Sequence, residues 1–219
     1  MHKKNQKGMT LVEILLALTI TGAVITSIYS VFKAHHTVAI KQEETTIMQQ
    51  ELLAATTQIA DDLRMCGYSA KGEPGFGFVH EPGAGSPYYG RGTNESSVAC
   101  TLDWNGDGTV NENGTGSSRE HVAYRLNVAN NGSPKAQPDN VLRKYDTGAV
   151  HWQPASTNIT TLHFTYFDAD GNLIADPGAN TNSIRILRIE LTAAPSENRS
   201  NLGIGNRTMS TVVLCRNVF

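Results

Sequence analysis

The sequence predicts an α+β protein in which one very long N-terminal helix packs on an antiparallel β-sheet head. Three observations lead there. Residues 9–66 contain no proline and a single glycine, Gly22. Within that stretch Met48, Leu52, Ala55, Ile59 and Leu63 recur at helical spacing. After residue 120, apolar residues instead alternate with polar ones in short runs separated by turn residues. Hydrophobic residues make up 39% of the 219-residue chain and charged residues 17%, which is enough for a packed core and too few charges for a wholly disordered chain.

The N-terminal eight residues, MHKKNQKG, carry three Lys and no acid. Residues 9–32, MTLVEILLALTITGAVITSIYSVF, carry one charge, Glu13. As a helix this run spans about 36 Å, enough to cross a bilayer, and the lysines before it keep the tail on the cytoplasmic side. An acid inside such a span costs roughly 2.5–3.5 kcal/mol on insertion scales, so Glu13 calls for a partner or a function. Closeness to the helix end, within reach of the headgroups, is the plainer reading. A secretory signal with its cut near Thr21-Gly22-Ala23 fits less well, because an acid interrupts the apolar run and that run continues past Ala23.

The helix is expected to continue through residues 33–66 as an amphipathic segment. Its apolar stripe faces a core, Lys41, Glu43, Glu44, Glu51, Asp61, Asp62 and Arg64 lie on the other faces, and Gly67 supplies the stop. His35 and His36 are adjacent, point in different directions and make no two-ligand metal site. Residues 67–92 are rich in Gly and Pro and read as a crossover loop into the head. Strands are expected around 122–128, 140–146, 149–152, 162–166, 183–193 and 207–217. Asp168-Ala169-Asp170-Gly171-Asn172 reads as a turn between two strands, with its paired Asp serving turn chemistry rather than a metal.

Asp103, Asn105, Asp107 and Gly108 fit D-x-N-x-D-G, the opening of a calcium loop of the EF-hand kind. Oxygens at alternate positions wrap a hard cation, Gly permits the sharp turn, and Thr109 would offer its carbonyl at the seventh position. The twelfth position should be a bidentate acid and is Gly114, so Glu112 or Glu120 would have to supply the carboxylate. The expected role is a structural calcium clamp. A polar Asn/Gly turn is the alternative.

Lys7-Gly8-Met9-Thr10-Leu11-Val12-Glu13 resembles the class III signal of type IV prepilins and of the pseudopilins of type II secretion. The resemblance implies cleavage by a prepilin peptidase between Gly8 and Met9 and N-methylation of Met9. It also implies that Glu13, fifth after the cut, pairs with the N-terminal amine of a neighbouring subunit. The organisation it implies is a leader over 1–8, a transmembrane and filament-core helix over 9–32, its amphipathic continuation over 33–66 and a β-rich head over 67–219. Asp62–Tyr68, Asp103–Val110, Val122–Leu126 and the closing Arg207–Asn217 are similar to large minor pilins of the PilW type. Other pilins would be the partners. The location would be the inner membrane, with the head in the periplasm or outside the cell, and then the filament.

The three cysteines, Cys66, Cys100 and Cys215, contain no CxxC. A head maturing in an oxidising compartment can form one disulfide. Pilins often close a loop near the C-terminus, which favours Cys100–Cys215, with Cys66 left open as a partner. No nucleophile elbow, phosphate loop or HExxH is present, so no enzyme is expected. Loss of Lys3, Lys4 and Lys7 with the leader would leave 15 basic against 20 acidic side chains, taking the formal charge from -2 to -5. Such a head is not expected to bind nucleic acid. The readings carried forward are a minor pilin, a minor pseudopilin of type II secretion, and an uncleaved membrane-anchored binding or adhesive head.

Overall fold

The computed structural model describes residues 8–80, 92–110, 120–126, 142–146 and 153–218. Helix α1 spans Leu11–Arg64, 54 residues, or about 81 Å at 1.5 Å per residue. Seven strands follow among the described residues: β1 (Ser97–Thr101), β2 (His121–Leu126), β3 (Leu142–Asp146), β4 (Gln153–Ser156), β5 (Ile159–Phe167), β6 (Ile186–Ala193) and β7 (Arg207–Leu214). They form two antiparallel sheets, ordered β1-β2-β3-β4 and β5-β6-β7, where the sequence suggested one. The chain divides into two compact units, Met1–Glu44 and Thr45–Phe219, with α1 contributing residues to each.

In the first unit every described residue from Gly8 to His36 is exposed. This part of α1 is long and apolar enough to cross a membrane. Its hydroxyls bond their own backbone: Thr21 Oγ1 donates to the Ala17 carbonyl (2.7 Å), Thr26 Oγ1 to Gly22 (2.8 Å) and Ser30 Oγ to Thr26 (2.9 Å). Thr and Ser thereby avoid the cost of bare polar groups in an apolar medium.

The second unit holds the core. The predicted stripe of Met48, Leu52, Ala55, Ile59 and Leu63 is buried throughout, at 0–1% exposure. It forms one cluster with Val98, Cys100, Val122 and Tyr124 of the first sheet and Leu162, Phe164, Tyr166, Leu187 and Ile189 of the second. In β5 the alternation Leu162, Phe164, Tyr166 buries one face as period-2 patterning requires. Polar contacts fix the helix within this unit. Tyr124 OH donates to Asp62, and Thr157 Oγ1 donates to Glu51 (2.8 Å).

The described strands differ from the expected ones in two places, β1 and the stretch after β5. β1 is not among the expected strands. It is buried on both faces, with Val98 and Cys100 in the main core and Ala99 packed with Ala123 in a second small cluster, so it shows no alternation. The strand expected at 149–152 lies outside the described residues, and β4 follows directly at Gln153–Ser156. The turn at Asp168–Asn172 exists, but it leads only to a bridge at Leu173, and the next full strand begins at Ile186. The Asp168 carboxylate accepts hydrogen bonds from the Asn172 side chain (3.0 Å) and from the backbone amides of Asn172 (2.8 Å) and Asp170 (2.9 Å). The side-chain and backbone bonds from Asn172 hold the Asp168 carboxyl below the ordinary Asp range. Asp168 is thus occupied as a turn former.

Candidate functional site

At the N-terminal signal, Gly8, Met9 and Thr10 precede the helix, and the first helical bond runs from the Ile14 amide to the Thr10 carbonyl (3.2 Å). The Glu13 amide donates to Thr10 Oγ1 (3.3 Å), and the Thr10 amide donates to Glu13 Oε2 (3.1 Å). This reciprocal pair is a capping box, which satisfies two of the donors that a helix start leaves open. Thr-x-x-Glu is its sequence signature and was legible in Thr10-Leu11-Val12-Glu13. Sequence reasoning weighed Glu13 as a charge in a membrane and passed over its bond to Thr10. Met9 is 69% exposed. The leader residues 1–7 lie outside the described residues.

The acidic loop follows β1. Asp103 and Glu120 are fully buried, and ligand oxygens of Asp103, Asp107 and Glu120 all lie within 4.8 Å of one another. Asp103 accepts from the amides of Gly106 (2.7 Å) and Gly108 (3.3 Å), and its own amide donates to the Tyr68 carbonyl (2.7 Å). Asp107 accepts from the Thr109 amide and hydroxyl (2.8 Å each) and from the Asn105 side-chain amide (2.9 Å). Glu120 accepts from the Asn105 amide (3.4 Å). The sequence offered two acids for the missing twelfth position. Glu120 stands beside Asp103 and Asp107, while Glu112 and Gly114 lie outside the described residues. Gly108 sits at φ +80°, a left-handed backbone conformation that favours glycine, while the Glu73 carboxylate beside it is the movable end of an exposed side chain.

Below the loop, Cys66 and Cys100 form a disulfide, and Cys215 is a buried free thiol. This replaces the expected Cys100–Cys215 pairing. The cause is local. The residues after α1 run beside those after β1, with the Gly67 amide bonded to the Thr101 carbonyl (3.0 Å) and Ser69 bridging Asp103. That pairing places Cys66 against Cys100, with Cα atoms 5.6 Å apart. Burial pushes the Cys215 thiol up to about 12, against a smaller opposing effect of Arg185. Burial likewise raises the Tyr166 phenol, whose OH donates to the carbonyls of Asn94 (2.9 Å) and Ser97 (3.0 Å). Cys215 therefore stays a neutral, unreactive thiol.

An exposed apolar helix, opened by a Gly-Met-Thr-x-x-Glu start and continued into an α+β body, defines the class of type IV pilin-like proteins. Residues 3–29 match the prokaryotic N-terminal methylation motif. Residues 41–214 match the family model described as prepilin peptidase-dependent protein B, and the chain belongs to that family. Its members are pilin structural proteins rather than enzymes. No curated protein and no solved structure matches the chain.

Proposed function

We propose that this chain is a minor pilin that is cut between Gly8 and Met9, methylated at Met9 and moved from the inner membrane into a type IV pilus, at its tip or in the complex that primes it. The observation that carries this reading is the N-terminal signal, with its cut site just outside a helix whose exposed apolar side chains suit a membrane and then a bundle of like helices. Glu13 is the assembly residue. A charge in an apolar medium is tolerable when it meets an opposite charge at hydrogen-bond distance, so its pairing with a neighbour's Met9 amine would set the register between subunits. The test is mass spectrometry of the N-terminal peptide from protein made with its native assembly machinery, followed by detection of the subunit in sheared filaments. Methylated Met9 in a pilus fraction is the expected result. Methylated Met9 in a secretion apparatus would favour the pseudopilin reading, an intact Met1 the tethered head, and a start near Ile25 an ordinary secreted protein.

We also propose that the head binds calcium as a structural clamp. Asp103, Asp107 and Glu120 supply hard oxygens of the kind calcium takes, with Asn105 and Thr109 in the same loop. Three carboxylates drawn this close, two of them fully buried, are destabilising to one another, and a divalent cation would offset that repulsion. At a free calcium concentration about 100 times Kd, the stabilisation would be about 2.7 kcal/mol. Thermal unfolding with calcium and with a chelator measures it, and Glu120→Gln should abolish the difference. An equal Tm in both conditions would remove calcium from the account. The acidic head is proposed not to be a nucleic-acid receptor, and strong salt-dependent binding of DNA would reverse that.

A further inference from the structure

We infer that Thr10 is the positioning residue for Glu13, holding its carboxylate within the subunit before any partner arrives. The inference rests on the assembly reading of Glu13 and adds the state from which assembly starts. Three hydrogen bonds carry it. The Thr10 amide (3.1 Å) and Thr10 Oγ1 (3.3 Å) both donate to Glu13 Oε2, while Thr10 Oγ1 accepts from the Glu13 amide (3.3 Å). The carboxylate is thereby folded back over the first turn of α1, where the unsatisfied amides of the helix start favour negative charge.

The rest of the apolar segment gives this arrangement its meaning. Thr19, Thr21, Thr26, Ser27 and Ser30 each donate to a carbonyl three or four residues earlier. Each hydroxyl is satisfied on its own helix, and Thr10 does the same for the one acid. A lone subunit can therefore wait in the bilayer with its acid and these hydroxyls accounted for. Assembly then becomes an exchange in which Glu13 gives up a local partner for the incoming amine. The box also fixes which rotamer and which turn present the carboxylate, because Thr10 Oγ1 and the Thr10 amide lie one residue from the new N-terminus at Met9.

The experiment uses the full chain in lipid nanodiscs and in cells that assemble filaments, with three variants. Thr10→Val removes the hydroxyl and keeps the shape. Thr10→Ser restores the hydroxyl. Glu13→Gln keeps an acceptor able to complete the box but removes the charge. Thr10→Val should speed exchange of the Glu13 amide about fivefold and lower the subunit's recovery in filaments, and Thr10→Ser should restore both. Glu13→Gln should leave the exchange protection largely intact and still fail to assemble. Unchanged exchange in Thr10→Val, or its normal recovery in filaments, overturns the positioning role while leaving the charge role of Glu13 standing. Normal assembly of Glu13→Gln would instead overturn the charge role, and the exchange result would then decide the capping role by itself.

Discussion

The two ends of α1 share one backbone hydrogen-bonding pattern and meet opposite surroundings. From Leu11 to His36 its apolar side chains are exposed, among them Leu16, Ile20, Ile25 and Phe32 at 57–67%. From Met48 to Leu63 the apolar stripe is at 0–1% exposure, and a sheet-borne tyrosine and a loop threonine bond the helix's acids. The difference teaches that helix formation here is the cheap part. What each end does depends on whether its apolar residues surround the helix or run down one side, since the first pattern needs an apolar medium and the second needs a protein core.

The largest test of that contrast is a matched pair. Ile59→Ala should destabilise the head by about 2–5 kcal/mol, while Ile20→Ala should change head unfolding by about 0.5 kcal/mol or less. Denaturant unfolding followed by near-UV circular dichroism in a mild detergent reads both. Equal effects would break the division of α1 into two roles. Next in size is the disulfide beyond the buried end. Changing Cys66 and Cys100 together to Ser should cost about 2–4 kcal/mol, and peptide mapping without reductant should recover a Cys66–Cys100 crosslink. Recovery of Cys100–Cys215 instead would show that the helix end is fastened differently.

Gly67 sharpens the comparison at the point where the helix stops. It sits at φ +76°, and a Cβ there would lie 2.5 Å from the Asn217 carbonyl oxygen. Gly67→Ala should therefore cost about 1–3 kcal/mol from the left-handed backbone, with the backbone collision added. A neutral Gly67→Ala in thermal unfolding would mean that the C-terminal residues do not close over the helix end. The smallest effect belongs to Cys215. Its folded pKa is raised to about 12 from an ordinary 9.0, so the folded state holds the proton that the unfolded state releases. Stability should accordingly fall as pH rises from about 9 toward 12, by about 1–2 kcal/mol at pH 10. Cys215→Ala should flatten that slope, although Tyr166, raised in the same direction, leaves part of it. Rapid alkylation of Cys215 in the native protein at pH 8 would contradict its burial.

By itself the sequence determined the long helix, its buried stripe, the glycine stop and the N-terminal signal. Each of these is local, written in spacings of three, four or five residues, and no distant residue is needed to read it. It also determined the acidic loop, because D-x-N-x-D-G acts within six residues. Only the tertiary structure decided that Glu120 joins Asp103 and Asp107, that Cys66 takes Cys100, and that the strands divide into two sheets. Those facts depend on which distant segments lie side by side. β1 shows why such facts stay hidden. Its five residues, Ser-Val-Ala-Cys-Thr, are covered on both faces, so the alternation that reveals a half-exposed strand is absent, and with it the signal that would have set Cys100 beside the end of the helix.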